Sequence, residues 1–106
     1  MEDEIFNSVG NNDFETLKIL IEHDLSDINY INDYGETPLM LASGLNRYHM
    51  IEYLLDNGAD INMQNDDNNT ALIIAIASGN IDAVEILLQY NPDINISGQH
   101  QYTALM

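Results

Sequence analysis

Cysteine is absent from this chain, and basic residues nearly so: among 106 residues there are only Lys18 and Arg47. Without a thiol there can be no disulfide framework and no thiolate metal site, and the redox compartment cannot be read. Long apolar runs are missing too. The longest, Ala71 to Ala77, falls far short of the roughly 18 residues that read as a membrane span. The N-terminus, Met1-Glu2-Asp3-Glu4, is acidic where a secretory signal would be basic. These absences lead us to expect a soluble, intracellular, cytoplasmic protein. Two sequons, Asn68-Asn69-Thr70 and Asn95-Ile96-Ser97, are then chance matches in an Asn-rich sequence.

What is present is acid. Eighteen Asp and Glu face the two basic residues, for a formal net charge of −16. A polyanion of this density repels nucleic-acid phosphate and anionic lipid, which argues against direct nucleic-acid binding and against a membrane partner. A protein partner with a basic surface would be drawn in, with a strongly salt-dependent on-rate. Acidity of this kind also serves plain solubility. The apolar fraction of 45% is ordinary, and the length fits one domain. A domain of this size buries about two thirds of its unfolded surface.

The organisation is repetitive. Gly35-Glu36-Thr37-Pro38-Leu39-Met40 returns as Asn68-Asn69-Thr70-Ala71-Leu72-Ile73, and again as Gln101-Tyr102-Thr103-Ala104-Leu105-Met106. The threonines fall at positions 37, 70 and 103, a constant step of 33. Asp27-Ile28-Asn29, Asp60-Ile61-Asn62 and Asp93-Ile94-Asn95 keep the same step in a second, independent phase.

Each unit reads as two short helices and an extended turn. Threonine caps free amides, and Pro38 at the first helical position loses no hydrogen bond. Leu39, Met40 and Ala42 give the first helix its apolar face, and the small Ala42 permits close helix contact. A second helix is expected from about Tyr48 to Asn57, with Ile51, Leu54 and Leu55 at helical spacing. Gly58 stands where helices end in a left-handed residue. Val84, Leu87 and Leu88 repeat that stripe, and Gly79 marks the turn between helices. Leu72 to Ala77 has strand propensity, but its phase in the repeat makes it a helix. Leu39, Ile51, Leu54, Leu72, Val84 and Leu87 are assigned to the core, and Tyr48 and Tyr53 to its outer cover.

These residues resemble the ankyrin repeat. Gly35-Glu36-Thr37-Pro38-Leu39 and Leu54-Leu55-Asp56-Asn57-Gly58-Ala59-Asp60-Ile61-Asn62 reproduce its motif closely, and 33 is its period. The next unit keeps Thr70, Leu72, Gly79, Val84, Leu87, Leu88, Asp93 and Asn95. The resemblance implies an all-α solenoid of helix-turn-helix units with extended turns, a single domain over 1–106. Its parts are an N-terminal capping repeat (1–32), two repeats (33–65 and 66–98) and a truncated stub (99–106). One extra residue near Leu25-Ser26 is needed to hold the first unit in register. Met40, Ile73 and Met106 stand where the family has a histidine, so that histidine's bond to the threonine is absent. Asn46 replaces the glycine between the helices, and Asn91-Pro92 replaces Gly-Ala.

No chemical constellation accompanies the repeats. There is no phosphate-binding glycine loop, His-Glu-x-x-His or Gly-x-Ser-x-Gly. His23, His49 and His100 fall at different repeat phases, and His23 and His49 read as solvated helix residues. Asp66-Asp67-Asn68-Asn69 hints at a calcium loop but lacks the central glycine and the distal glutamate. An enzyme is not expected, and no cofactor or metal is assigned.

Proteins of the resembled family bind through the turn tips and the exposed side of the first helices, which form a concave face. By phase, that face takes Asp33, Tyr34, Glu36, Gly44 and Leu45 from one unit. The next supplies Asp66, Asp67, Asn69, Ala77 and Ser78, and the stub adds Gln99, His100 and Tyr102. The face is acidic and carries two tyrosines, which are rigid amphipathic anchors. Asp and Asn also favour turns for their own sake. The function implied is protein–protein interaction with a basic partner, in its sharper form inhibition of that partner. The alternative is an assembly role, with self-association through an uncapped C-terminal end.

Overall fold

The computed structural model describes residues 3–94. Six helices follow one another: α1 (Asp3–Gly10), α2 (Phe14–Glu22), α3 (Pro38–Gly44), α4 (Tyr48–Asp56), α5 (Ala71–Ala77) and α6 (Ile81–Gln89). No strand occurs among the described residues. The helices pair as α1–α2, α3–α4 and α5–α6, and the pairs stack, with α1 against α3, α3 against α5 and α4 against α6.

The repeated sequence signals do repeated work. The Thr37 hydroxyl accepts the N–H of Met40 at 3.2 Å, and the Thr70 hydroxyl accepts that of Ile73 at 3.3 Å, each closing the N-terminus of a first helix. Thr37 and Thr70 keep this role without the family's histidine. In α2 the cap is Asp13, whose carboxylate accepts from Thr16; those bonds hold its carboxyl below the ordinary value. Turns between paired helices need one left-handed residue, and Asn12 (φ 57°), Asn46 (φ 57°) and Gly79 (φ 70°) provide it. Asparagine tolerates this geometry better than most side-chain-bearing residues.

One continuous core runs through the stack. Ile5, Val9, Leu17 and Leu20 come from the first pair, Leu39, Met40, Ala42, Met50, Ile51 and Leu54 from the second, and Ala71, Leu72, Ala75, Ala83 and Leu87 from the third. Two assignments need correction. Val84 is only partly buried, although Ile51, its counterpart one repeat earlier, is fully buried; no described helix lies beyond α6 to cover it. Tyr48 is 39% exposed and tilts against the His49 ring, so it is not a core cover, whereas Tyr53 packs on the core as expected.

The extra residue of the first unit is Ser26. Leu25 N–H donates to the Leu20 carbonyl just as Ala59 N–H donates to that of Leu54, a step of 34. Asn29 N–H bonds to Asp27 just as Asn62 N–H bonds to Asp60, a step of 33. The insertion has a visible cost: the Ser26 hydroxyl is buried without a partner, and Leu25 is pushed out to 60% exposure.

Candidate partner-binding surface

Each extended turn is organised by one asparagine. The side-chain oxygen of Asn32 accepts the N–H groups of Tyr34 at 2.9 Å and Glu36 at 3.0 Å. Asn65 does the same for Asp67 and Asn69, both at 3.0 Å. A backbone bond closes each base: Asn32 N–H to the Glu36 carbonyl, and Asn65 N–H to that of Asn69, again both at 3.0 Å. The turns are also tied to one another, because Asp66 N–H donates to the Tyr34 carbonyl at 3.0 Å. The tips therefore form a fixed row along the stack, not independent loops.

On that row Asp33, Tyr34, Asp66 and Asp67 are exposed, Tyr34 to 71%. Glu36 is half-buried, since Asn32 Nδ2 donates to its Oε1 at 3.0 Å. Asn69 is half-buried as well. Leu45 and Ser78 are exposed at the far ends of α3 and α5, where they are the C-terminal cap residues. They extend the stripe begun by Leu41 and Ile74, through Leu45 N–H to the Leu41 carbonyl and Ser78 N–H to that of Ile74. Gly44 and Ala77 lie just inside those ends. Gln99, His100 and Tyr102 lie outside the described residues.

Sequence reasoning missed the floor of this surface. A groove of about 410 Å³ runs between α1 and α3, lined by Phe6, Asn7, Asn32, Glu36 and Leu41. Phe6 is held there by an edge-on contact with Tyr30, ring centres 6.0 Å apart. The sequence alone assigns no role to Phe6. Its contact with Tyr30, far along the chain, is what sets it beside the groove.

The charge of the surface is one-sided. Asp33, Glu36, Asp66 and Asp67 occupy the turns, while both basic residues lie elsewhere. Lys18 sits on α2 with its ammonium 4.7 Å from the Phe14 ring centre. Arg47 precedes α4 and donates to the carbonyls of Val9 (3.3 Å) and Gly10 (3.0 Å), capping α1. Among the described residues no three His, Asp or Glu side chains converge as a metal-binding group. The Asp66–Asn69 segment is a turn held by Asn65.

Stacked helix pairs joined by hydrogen-bonded turns, with an open face of tips and first helices, define a repeat scaffold for recognising macromolecules. The family models agree. One for ankyrin repeats (many copies) matches residues 20–75, and another for ankyrin repeats (3 copies) matches residues 50–106. Each covers more than half of the chain, which belongs to the ankyrin-repeat family. An ankyrin repeat protein of Borreliella burgdorferi is 40% identical over 52 residues. That match spans 49% of this chain and 23% of the relative. Ankyrin repeats are in general protein–protein interaction modules. No described helix is long and apolar enough to cross a membrane.

Proposed function

We propose that this chain binds a protein partner through its turn tips and first-helix face, that the partner presents a basic surface, and that binding inhibits the partner by occupying that cationic site. The observation that carries the reading is the acid at the tips. The turns are shaped by Asn32 and Asn65, so turn geometry does not require Asp33, Asp66 or Asp67 to be aspartates. Four carboxylates on one face, with both cations on other elements, attract a basic surface and steer its approach. Tyr34, the most exposed aromatic of the described residues, supplies an apolar anchor beside them.

The experiment is capture of partners from the native host's lysate, eluted with rising salt, alongside the triple variant Asp33→Asn, Asp66→Asn, Asp67→Asn. A basic protein released only at elevated salt, lost by the triple variant, and whose activity falls when the chain is added, supports the reading. Capture indifferent to both salt and the substitutions sinks it.

A second reading is favoured by a specific observation at the other extreme of charge. Exposed apolar side chains of α5 and α6, Ile76, Ile81 and Leu88, support association through that end of the stack. An apolar groove of about 270 Å³ lies there, lined by Ala75, Ile76, Gly79, Ile81, Val84 and Glu85.

A further inference from the structure

Resting on the first reading, we propose that the groove between α1 and α3 seats one arginine side chain of the basic partner. Its aliphatic stem lies against Phe6 and Leu41, and its guanidinium meets the Glu36 carboxylate. Glu36 is a fixed acid, because Asn32 grips it three times. Asn32 Nδ2 donates to Glu36 Oε1, Glu36 N–H donates to Asn32 Oδ1, and Asn32 N–H donates to the Glu36 carbonyl, each at 3.0 Å. Asn32 engages Oε1 alone of the two carboxylate oxygens, which leaves Oε2 for a ligand. A charge held in place in this way loses little freedom when it binds.

The equivalent positions one repeat on lack this charge. A step of 33 takes Asn32 to Asn65, Glu36 to Asn69 and Leu41 to Ile74. Asn65 and Asn69 repeat both backbone bonds of the turn, so the turn does not need a glutamate there. In the first unit the step is 34. Asp13 N–H donates to the Ser8 carbonyl just as Arg47 N–H donates to that of Ala42. Asn7 of α1 is therefore the counterpart of Leu41 and Ile74, and it is exposed and polar where they are apolar. Helix formation does not need an asparagine there either. Two polar residues that the fold does not require, Asn7 and Glu36, thus line the same groove.

The lining chooses the occupant. At about 410 Å³ the groove falls within the roughly 300–1,000 Å³ of small-ligand sites. Phe6 and Leu41 are half-buried, so they offer apolar surface to a methylene stem while Glu36 offers charge to its tip. Both basic residues of the chain are engaged elsewhere, Lys18 at the Phe14 ring and Arg47 at the carbonyls of Val9 and Gly10. The complementary cation has to come from a partner. Arginine suits this lining better than lysine. Its fork of five donors serves the separate acceptors of Glu36 and Asn7, and its flat face stacks on aromatic rings such as that of Phe6.

The probe is a capped five-residue glycine peptide with one central arginine, added to the full chain and followed by heteronuclear NMR, which reads weak binding. Its lysine counterpart is the comparison. Glu36→Gln keeps an oxygen for Asn32 Nδ2, so the turn survives, and Asn7→Leu installs the residue type that α3 carries at this position. The expected result is amide shifts centred on Asn7, Glu36 and Leu41, with affinity about fivefold weaker in Glu36→Gln and lower in Asn7→Leu. The double variant Asp66→Asn, Asp67→Asn should bind the peptide within about twofold of wild type at physiological salt, where separated charges are screened. Shifts that follow Asp66 and Asp67 but ignore Glu36→Gln overturn the groove and leave the tip reading standing. A lysine peptide bound as tightly overturns arginine as the occupant, and no shift at all up to about 20 mM peptide overturns the site. A peptide seated at Glu36 beside lysate capture indifferent to salt upholds the groove and sinks only the wider claim for the tips.

Discussion

Asp66 lies directly over Gly35. Its backbone N–H bonds to the carbonyl of Tyr34 at 3.0 Å, and a Cβ built on residue 35 would sit 2.6 Å from its Oδ1 and 3.0 Å from its backbone nitrogen. Gly35 is also left-handed, at φ 74°. Two neighbouring turns therefore touch where only a glycine fits, and this contact sets the spacing of the tip row.

Gly35→Ala should accordingly be costly for an exposed turn. The carboxylate can swing aside, but the backbone nitrogen cannot, and alanine is strained at this φ. A loss of about 2 kcal/mol is expected. Urea unfolding should show a lower midpoint with an unchanged slope. A midpoint equal to wild type would mean that the two turns are not locked together.

The second prediction concerns the joint between the second and third helix pairs. Asn80 Nδ2 donates to the carbonyls of Ser43 at 2.8 Å and Gly44 at 3.0 Å, capping α3 from the next repeat. Arg47, one repeat earlier, caps α1 in the same way. Asn80→Ala removes both bonds, leaving the Ser43 carbonyl only backbone contacts such as the long one from Asn46 N–H at 3.5 Å, and should cost about 1–2 kcal/mol. Asn80→Asp should cost more, because a carboxylate would face two carbonyl oxygens. Urea midpoints ordered wild type, Ala, Asp are the expected outcome, and an Asp variant as stable as wild type would refute the assignment.

Much of this architecture was legible in the residues, and what was not shares one physical cause. Thr37 and Thr70, the left-handed Asn46 and Gly79, and the helical phase of Leu72 to Ala77 depend on neighbours within one repeat, so local spacing revealed them. The bonds between repeats did not announce themselves. Asn29 Oδ1 accepts the N–H of Asp60, and Asn62 Oδ1 accepts that of Asp93, both at 2.8 Å across 31 residues. The recurring Asp-Ile-Asn was visible as a marker, but its job depends on how the units stack. The groove at Phe6, Asn7 and Leu41 was missed for the same reason, since helices of two different repeats build it. Val84 failed differently: its spacing is that of a core residue, but burial also needs a neighbour on the outer side. The placement of Asp33, Tyr34, Asp66 and Asp67 at exposed tips was readable, because turn chemistry and period together fix it.

A third prediction follows from the second helices, which are clasped by tyrosine–carboxylate contacts. Tyr90 donates its hydroxyl to Asp56 Oδ1 at 2.6 Å. That bond first, then burial and the charges of Asp56 and Glu52, push its pKa up to about 12. Tyr53 is also raised, by burial first and then by the charge of Glu22 and a hydrogen bond to it. A tyrosine titrating near 10 when unfolded but higher when folded contributes stability that is fully present below pH about 10. That contribution is lost as pH rises from there toward 12. Urea midpoints between about pH 9 and 11.5 should fall more steeply in the wild type than in Tyr90→Phe, with the gap between them closing at the alkaline end. Parallel curves would show that Tyr90 holds its proton no more tightly in the fold than in the unfolded chain.

The fourth prediction separates what the tip acids do for the fold from what they do for a partner. If Asp33, Asp66 and Asp67 were present only because turns favour them, asparagine, an equally good turn residue, would replace all three without consequence for binding. The structure gives the turns to Asn32 and Asn65 instead, and leaves the aspartates exposed in a chain already at −16. Their mutual repulsion then opposes folding. The triple asparagine variant should be slightly more stable than wild type, by up to about 0.5 kcal/mol, as befits surface changes. Added salt should stabilise the wild type more than the variant, because there is more repulsion to screen. Binding to a basic partner should move in the opposite sense, weakened by the substitutions and by salt alike. Thermal midpoints and affinities measured on the same preparations, with and without added salt, check both halves. Opposed changes in stability and affinity mark residues kept for binding at the expense of the fold; a variant unchanged in both marks turn formers and nothing more.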